Sequence, residues 1–230
     1  MIFHDANTAI FTRAEAKALA AFASADETRL HLNAVLVDFA KGAAVTTDGH
    51  RLAKSNSASS FDGAEPCLIP LDAWMRAIKA CSKKTHGILV QRAGAAVTLT
   101  AIDPGHCPLR MFGSEDGPTA EALPQWALGA VQANLRTVQF PPYEQVIPSA
   151  DAQNAETWKG YGDTAGTHPR TKTIGVNARY VGDCALVAIA AGNETGGVEL
   201  HLPPGPLDPI VGKCNGPEGS WTVVIMPMRL

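Results

Sequence analysis

The stretch VLVDFAKGAAVTTDGHRLAK, residues 35–54, decides how the chain is read. Its first thirteen residues, Val35 to Thr47, return as ILVQRAGAAVTLT, Ile88 to Thr100, with one residue deleted. Both read as strand, tight turn, strand: β-branched and apolar residues flank Lys41-Gly42 in one and Ala93-Gly94 in the other. Each copy follows a helical pattern. The first helix starts at Thr12, where TRAE is a capping box of Thr12 with Glu15, and Leu19 and Phe22 supply its apolar stripe. The second follows Pro70 and sets Leu71, Trp74, Ile78 and Cys81 on one face.

A third unit of this kind is expected near the end of the chain. Asn177 caps ARYVGDCALVAIAAG, with Tyr180, Cys184, Val187 and Ala191 on one face and Gly192 as the stop. VELHL (Val198 to Leu202) follows as a strand, and WTVVIMPM as the last one. The chain thus reads as α+β, in helix-then-antiparallel-strand units joined at sheet edges. SNSASSFDGAEPC, GSEDGPTAEALPQ and SADAQNAETWKGYGDTAGTHPRTK are rich in Gly, Pro and small polar residues and read as loops. The last of these is expected to be a linker or insertion. It sets a domain boundary near Ala150, with a complete domain over 1–150 and a shortened one over 151–230.

Composition excludes several classes. With 230 residues, 46% hydrophobic and 18% charged, the chain is globular rather than disordered. A formal net charge of −3 gives no overall basic field, although a local basic face remains compatible with it. Five scattered cysteines without Cys-x-x-Cys spacing argue against a disulfide framework or a structural zinc site. No signal peptide and no apolar run of membrane-spanning length is read, so a cytoplasmic setting is expected.

Asp48, His50 and Arg51 look catalytic. In a strand, however, neighbours point to opposite faces, so Arg51 cannot share a face with Asp48 and His50. Neither a Gly-x-Ser-x-Gly elbow, a His-x-x-x-His pair nor a phosphate loop occurs. Two readings stand: a small hydrolase using Asp48 and His50, or an Asp48-Gly49 turn whose carboxylate binds local amides while Gly49 takes positive φ. The seven histidines show no metal-ligand spacing, and no cofactor is called for. Trp74 reads as core. Met226 and Met228 flank Pro227, which suits an extended tail lining a groove better than a central strand.

Taken in order, LNAVLVDF, TTDGHRLA, IPLDAWMRAI, FPPYEQVIP, IGVNARYV and the terminal VVIMPMRL resemble the bacterial β sliding clamp, the DNA polymerase III beta subunit family. The resemblance runs from about Leu32 to Val146 and from Thr173 to Leu230. It implies the DNA-clamp fold and a non-enzymatic processivity platform, homo-oligomeric, that binds short peptide motifs of polymerases and repair proteins. Double-stranded DNA is a further partner it allows.

By matched position, the resemblance makes Leu32, Thr47, Gly49, His50, Arg51 and Leu52 one wall of the peptide pocket, with His50 and Arg51 at its rim. Pro141 and Val146 form the floor. Val224, Ile225, Met226, Pro227, Met228, Arg229 and Leu230 form the other wall. The helices would face DNA through Arg13 and Lys17 on the first and Arg76, Lys79 and Lys83 on the second. The third offers only Arg179, with Asp183 near it and Ala185 and Ile189 apolar on its outer side, which argues for a protein contact. The sequence departs from the family in matching neither its first domain nor the first half of its last, and in carrying Gln145 where arginine is usual. A truncated mimic that competes for partner peptides without encircling DNA is therefore the alternative.

Overall fold

The computed structural model describes residues 1–57, 59–103, 126–160, 165–171 and 173–228, and leaves the side chains of residues 2–4 aside. In chain order the elements are β1 (Ile2–Asp5), β2 (Thr8–Thr12), α1 (Arg13–Phe22), β3 (Ala34–Asp38), β4 (Ala43–Thr47), β5 (Arg51–Asn56) and β6 (Cys67–Pro70). There follow α2 (Leu71–Ala80), β7 (Gly87–Ala93), β8 (Ala96–Ile102), β9 (Ala127–Asn134), α3 (Ala150–Asn154), β10 (Thr157–Lys159) and β11 (Thr167–Pro169). The chain closes with α4 (Ala178–Ala190), β12 (Glu199–His201), β13 (Ile210–Gly216) and β14 (Gly219–Ile225).

The repeat is real. Val35–Thr47 holds the β3–β4 hairpin and Ile88–Thr100 holds β7–β8, and each turn puts its glycine, Gly42 or Gly94, at φ +59°. Around them two units interlock: β2 leads into α1 but pairs with β7, while β6 leads into α2 but pairs with β3. The resulting sheets are β1-β2-β7-β8-β9 and β12-β13-β14-β5-β4-β3-β6, and a separate β10–β11 hairpin completes the strands. All pairing is antiparallel, and the β14–β5 ladder, from Ser220–Asn56 to Ile225–Arg51, carries the larger sheet from the first units into the third.

Helices α1 and α4 begin as expected. The Thr12 hydroxyl accepts from the Glu15 amide at 3.1 Å, the Glu15 carboxylate accepts from the Thr12 amide at 2.8 Å, and Asn177 caps α4. Leu19, Phe22, Trp74, Ile78, Cys184 and Val187 are buried.

Alternation along the large sheet creates two cores. Val35, Val37, Ala53, Ile69, Val223 and Ile225 face the helices. Their neighbours Leu36, Val45, Leu52, Leu68 and Val224 face the other way, and meet Phe140 and Tyr143 from a strap after β9. Strands covered on both faces read as near-continuous apolar runs. The strap turns through a short 3-10 helix at Tyr143–Val146.

Part of the expected linker is regular structure. Ser149 caps α3 through the Ala152 amide, and Trp158 pairs with His168 across the β10–β11 hairpin. The polar composition hid this, because three-residue strands carry almost no periodicity. No helix among the described residues is long and apolar enough to cross a membrane.

Candidate functional site

On the strap side of the large sheet lies a cavity of about 350 Å³. Leu32, Thr47, Gly49, His50, Arg51, Leu52, Pro141, Val146, Val224 and Met226 all line it, although they come from four separated segments. Pairing explains how they meet: Leu52 on β5 lies opposite Val224 on β14 and Thr47 on β4, and all three side chains emerge toward the strap. Met226 extends the ladder by one bond, its amide donating to the His50 carbonyl at 2.9 Å.

The loop between β4 and β5 is tightly tied. Asp48 Oδ1 accepts from the amides of His50 (2.9 Å) and Arg51 (3.0 Å). Thr47 Oγ1 accepts from the Gly49 amide at 3.0 Å and donates to the Arg51 carbonyl at 2.7 Å. Gly49 sits at φ +93°, a region where side-chain-bearing residues are strained. Of the two readings of Asp48, this geometry matches the turn. The carboxylate is occupied by local amides and by the Arg51 Nε at 3.1 Å, so it is not poised as a base for His50.

The rim role expected of Arg51 is not what the structure shows. Its side chain is 5% exposed and turns to the helix side. There it bonds Asp48, Asp183 on α4 and the Ala21 carbonyl of α1. Its guanidinium lies 4.7 Å from the ring centres of both Phe22 and Tyr180. With Leu52 facing the strap, a period of two sends Arg51 inward. His50 is exposed and keeps its place at the rim.

The tail divides. Val224 and Met226 line the cavity, whereas Ile225 is buried against the helices. Pro227 and Met228 lie beyond the lining; Met228 is 48% exposed and its amide donates to the Gly175 carbonyl at 2.9 Å. Arg229 and Leu230 fall outside the described residues. Lining residues not singled out as site members from sequence are Arg29, His31, Pro142, Tyr143 and Gln145. Adjacency was the available signal, since each lies within a few residues of one that was.

Tyr143 and the two prolines before it also line a second cavity of about 350 Å³, which contains Asp38, Lys41, Arg136 and Glu144. There Lys41 and Glu144 pair at 2.8 Å, which holds the Glu144 carboxyl below and the Lys41 ammonium above their ordinary ranges.

The helix cations are less free than their sequence spacing suggests. Lys17, Arg76, Lys79 and Lys83 are exposed and Arg13 is half-buried. Arg76 pairs with Asp72 at 3.3 Å, and Lys83 with Asp103 at 3.5 Å. Among the described cysteines, burial pushes the Cys67 thiol up to about 12 and the Cys184 thiol up to about 11, away from the thiolate form that reacts.

No protein-family model matches the chain, and no curated protein matches it in sequence. Solved structures do. The DNA polymerase sliding clamp of Pseudomonas aeruginosa, crystallised with a ligand, superposes over the whole chain and 68% of its own length, with a TM-score of 0.61 at 14% identity. The DNA polymerase III beta subunit of Thermotoga maritima gives 0.61 at 15%, over the whole chain and 67% of its length. The Bacillus subtilis sliding clamp gives 0.62 at 13%, again over the whole chain and 66% of its own. The fold of this chain is that of the bacterial DNA polymerase III beta sliding clamps, in a shortened form.

Proposed function

We propose that the chain is a sliding-clamp-like platform that docks short peptide motifs of replication and repair proteins in the cavity beside His50. The observation that carries this is the convergence of Leu32, Leu52, Pro141, Val146, Val224 and Met226 on one apolar hollow, with His50 as a polar rim. A concave apolar site with a few polar anchors is what an extended peptide with hydrophobic side chains requires. The chemistry asked of the protein is binding alone.

A labelled peptide of the Gln-Leu-x-Leu-Phe type tests it by fluorescence anisotropy. Micromolar affinity is expected, on the order of 8 kcal/mol. No saturable binding at millimolar protein rules the reading out.

A second reading keeps the pocket and drops the DNA: a mimic that occupies partner peptides without encircling a duplex. It is favoured by the Arg76–Asp72 and Lys83–Asp103 pairs, and by an α4 whose only cation is Arg179. Salt-dependent retention on DNA, weakened by Arg76→Ala with Lys79→Ala at low salt, supports the platform. Peptide binding without any retention supports the mimic.

A further inference from the structure

The second cavity holds polar groups that the fold leaves unmatched. It lies over β3 and β6, where Leu36 pairs with Leu68 and both side chains face the strap. The Arg136 amide donates to the Leu68 carbonyl at 2.9 Å, which ties the strap to β6, the last strand of the large sheet. Four charged side chains line the cavity, and two of them, Lys41 and Glu144, neutralise each other. Arg136 and Asp38 are in no ion pair among the described residues.

The mismatch runs to single atoms. Arg136 Nε is buried without a hydrogen-bond partner. Asp38 is buried as well; its Oδ1 accepts from the Lys41 amide at 3.1 Å, while Oδ2 accepts from nothing among the described residues. Tyr143 is 5% exposed and its hydroxyl is unpaired. Burial, then the Asp38 and Glu144 carboxylates, hold that phenol above its ordinary range, so it stays a proton donor. Buried polar groups are as a rule paired, and one left alone in an apolar wall destabilises the fold. Three of them on one hollow of about 350 Å³ match a small-molecule site, which is apolar with a few polar anchors.

The groups dictate the ligand. An unpaired guanidinium favours a carboxylate, which it holds through two parallel bonds. Asp38 repels a second acid and calls for a donor, such as a hydroxyl. Leu36, Leu68 and Phe140 call for an apolar body. We propose that this cavity binds a small amphipathic carboxylate, with its acid on Arg136, its apolar body on Leu36, Leu68 and Phe140, and a donor at its far end on Asp38 and Tyr143. The site is independent of peptide docking, because neither Arg136 nor Asp38 lines the cavity beside His50.

The probe is para-hydroxyphenylpropionate, which carries all three parts. Titrated into the isotope-labelled full chain at neutral pH, it should saturate with a dissociation constant of about 1 mM or below, the range of a fragment of this size. The backbone amide shifts should centre on Leu36, Leu68, Val138 and Gln139. Arg136→Gln, or exchange of the probe's acid for a carboxamide, should each weaken binding at least about tenfold. Phenylpropionate, which lacks the hydroxyl, should bind the parent more weakly than the probe does, and Asp38→Asn should narrow that difference. Tyr143→Phe removes a hydroxyl without a partner, so it should melt at or above the parent while binding the probe more weakly. No saturation by about 10 mM overturns the proposal. So do equal binding of acid and carboxamide, a comparison that needs only the parent chain, and shifts centred on His50 and Met226, which would put the probe in the first cavity.

Discussion

The two walls of the cavity beside His50 are built by opposite means. Thr47 to Leu52 is pinned by side-chain bonds from Thr47 and Asp48 and by an arginine driven into the helix layer beneath it. Met226 to Met228, of which Met226 reaches the lining, is an extended segment held among the described residues by two backbone bonds, one to His50 and one to Gly175. Under the proposed function, the pinned wall would fix where a peptide lies, and the unbranched, polarisable Met226 would adapt to what the peptide carries. Stability should therefore reside in the first wall. The second should matter for binding alone.

Replacing Arg51 by Ala should show the largest effect. Breaking a buried ion pair costs about 3–5 kcal/mol. Asp48 and Asp183 keep 19% and 26% of their side-chain surface in water, which places the cost near the lower end of that range. A fall in Tm of roughly 6–12 °C follows for a chain of this size. Lysine should not rescue it, because a point charge cannot reach both carboxylates and stack between Phe22 and Tyr180. Melting within a degree of the parent would mean that the pinning adds nothing.

Deleting Met226 to Leu230 probes the opposite wall. Of these side chains Met226 lines the cavity among the described residues, and covering it contributes roughly 1.5–3 kcal/mol, so a micromolar affinity should weaken by about 10- to 150-fold. The melt should hold, because Met226 and Met228 are 36% and 48% exposed while the core beneath belongs to Val224 and Ile225. Circular dichroism and peptide titration on the same truncated protein check both halves. Collapse of the melt would make the tail core, and unimpaired binding would take it out of the site.

The same contrast explains what the sequence made legible. Hairpins, the Thr12–Glu15 capping box and the stripes of α1, α2 and α4 are local, and their patterns survive in one dimension. Arg51 was misplaced at the rim although the alternation with Leu52 already pointed it inward. Its partners Asp183 and Tyr180 lie some 130 residues away, and nothing in the chain links them before it folds. β1, β2, β6, β9 and β13 carry no strand reading in the sequence. In β9, ALGAVQAN, small residues along an exposed edge carry no alternation. The cavity was legible only through resemblance, because its lining is set by the β4–β5–β14 register, which no single segment encodes.

The smallest effect should come from Gly49→Ala. At φ +93° an alanine is strained by about 1 kcal/mol, which lowers Tm by roughly 2–4 °C. The added Cβ would stand 2.9 Å from Arg29 Nη2, the movable end of a long side chain, so contact adds little to the backbone cost. Relief of the strain means opening the turn, which shifts the His50 rim, and peptide affinity should drop up to about fivefold by the same free energy. Gly94→Ala is the control: it too has positive φ, +59°, with nothing within 4 Å of its Cβ, but it lies in the β7–β8 turn away from the cavity lining. It should lose similar stability and leave peptide affinity untouched. If the two variants lower affinity equally, the loss reflects general loosening rather than the turn. If Gly49→Ala lowers stability alone, the pinned wall is a structural device and the rim has no part in holding the peptide.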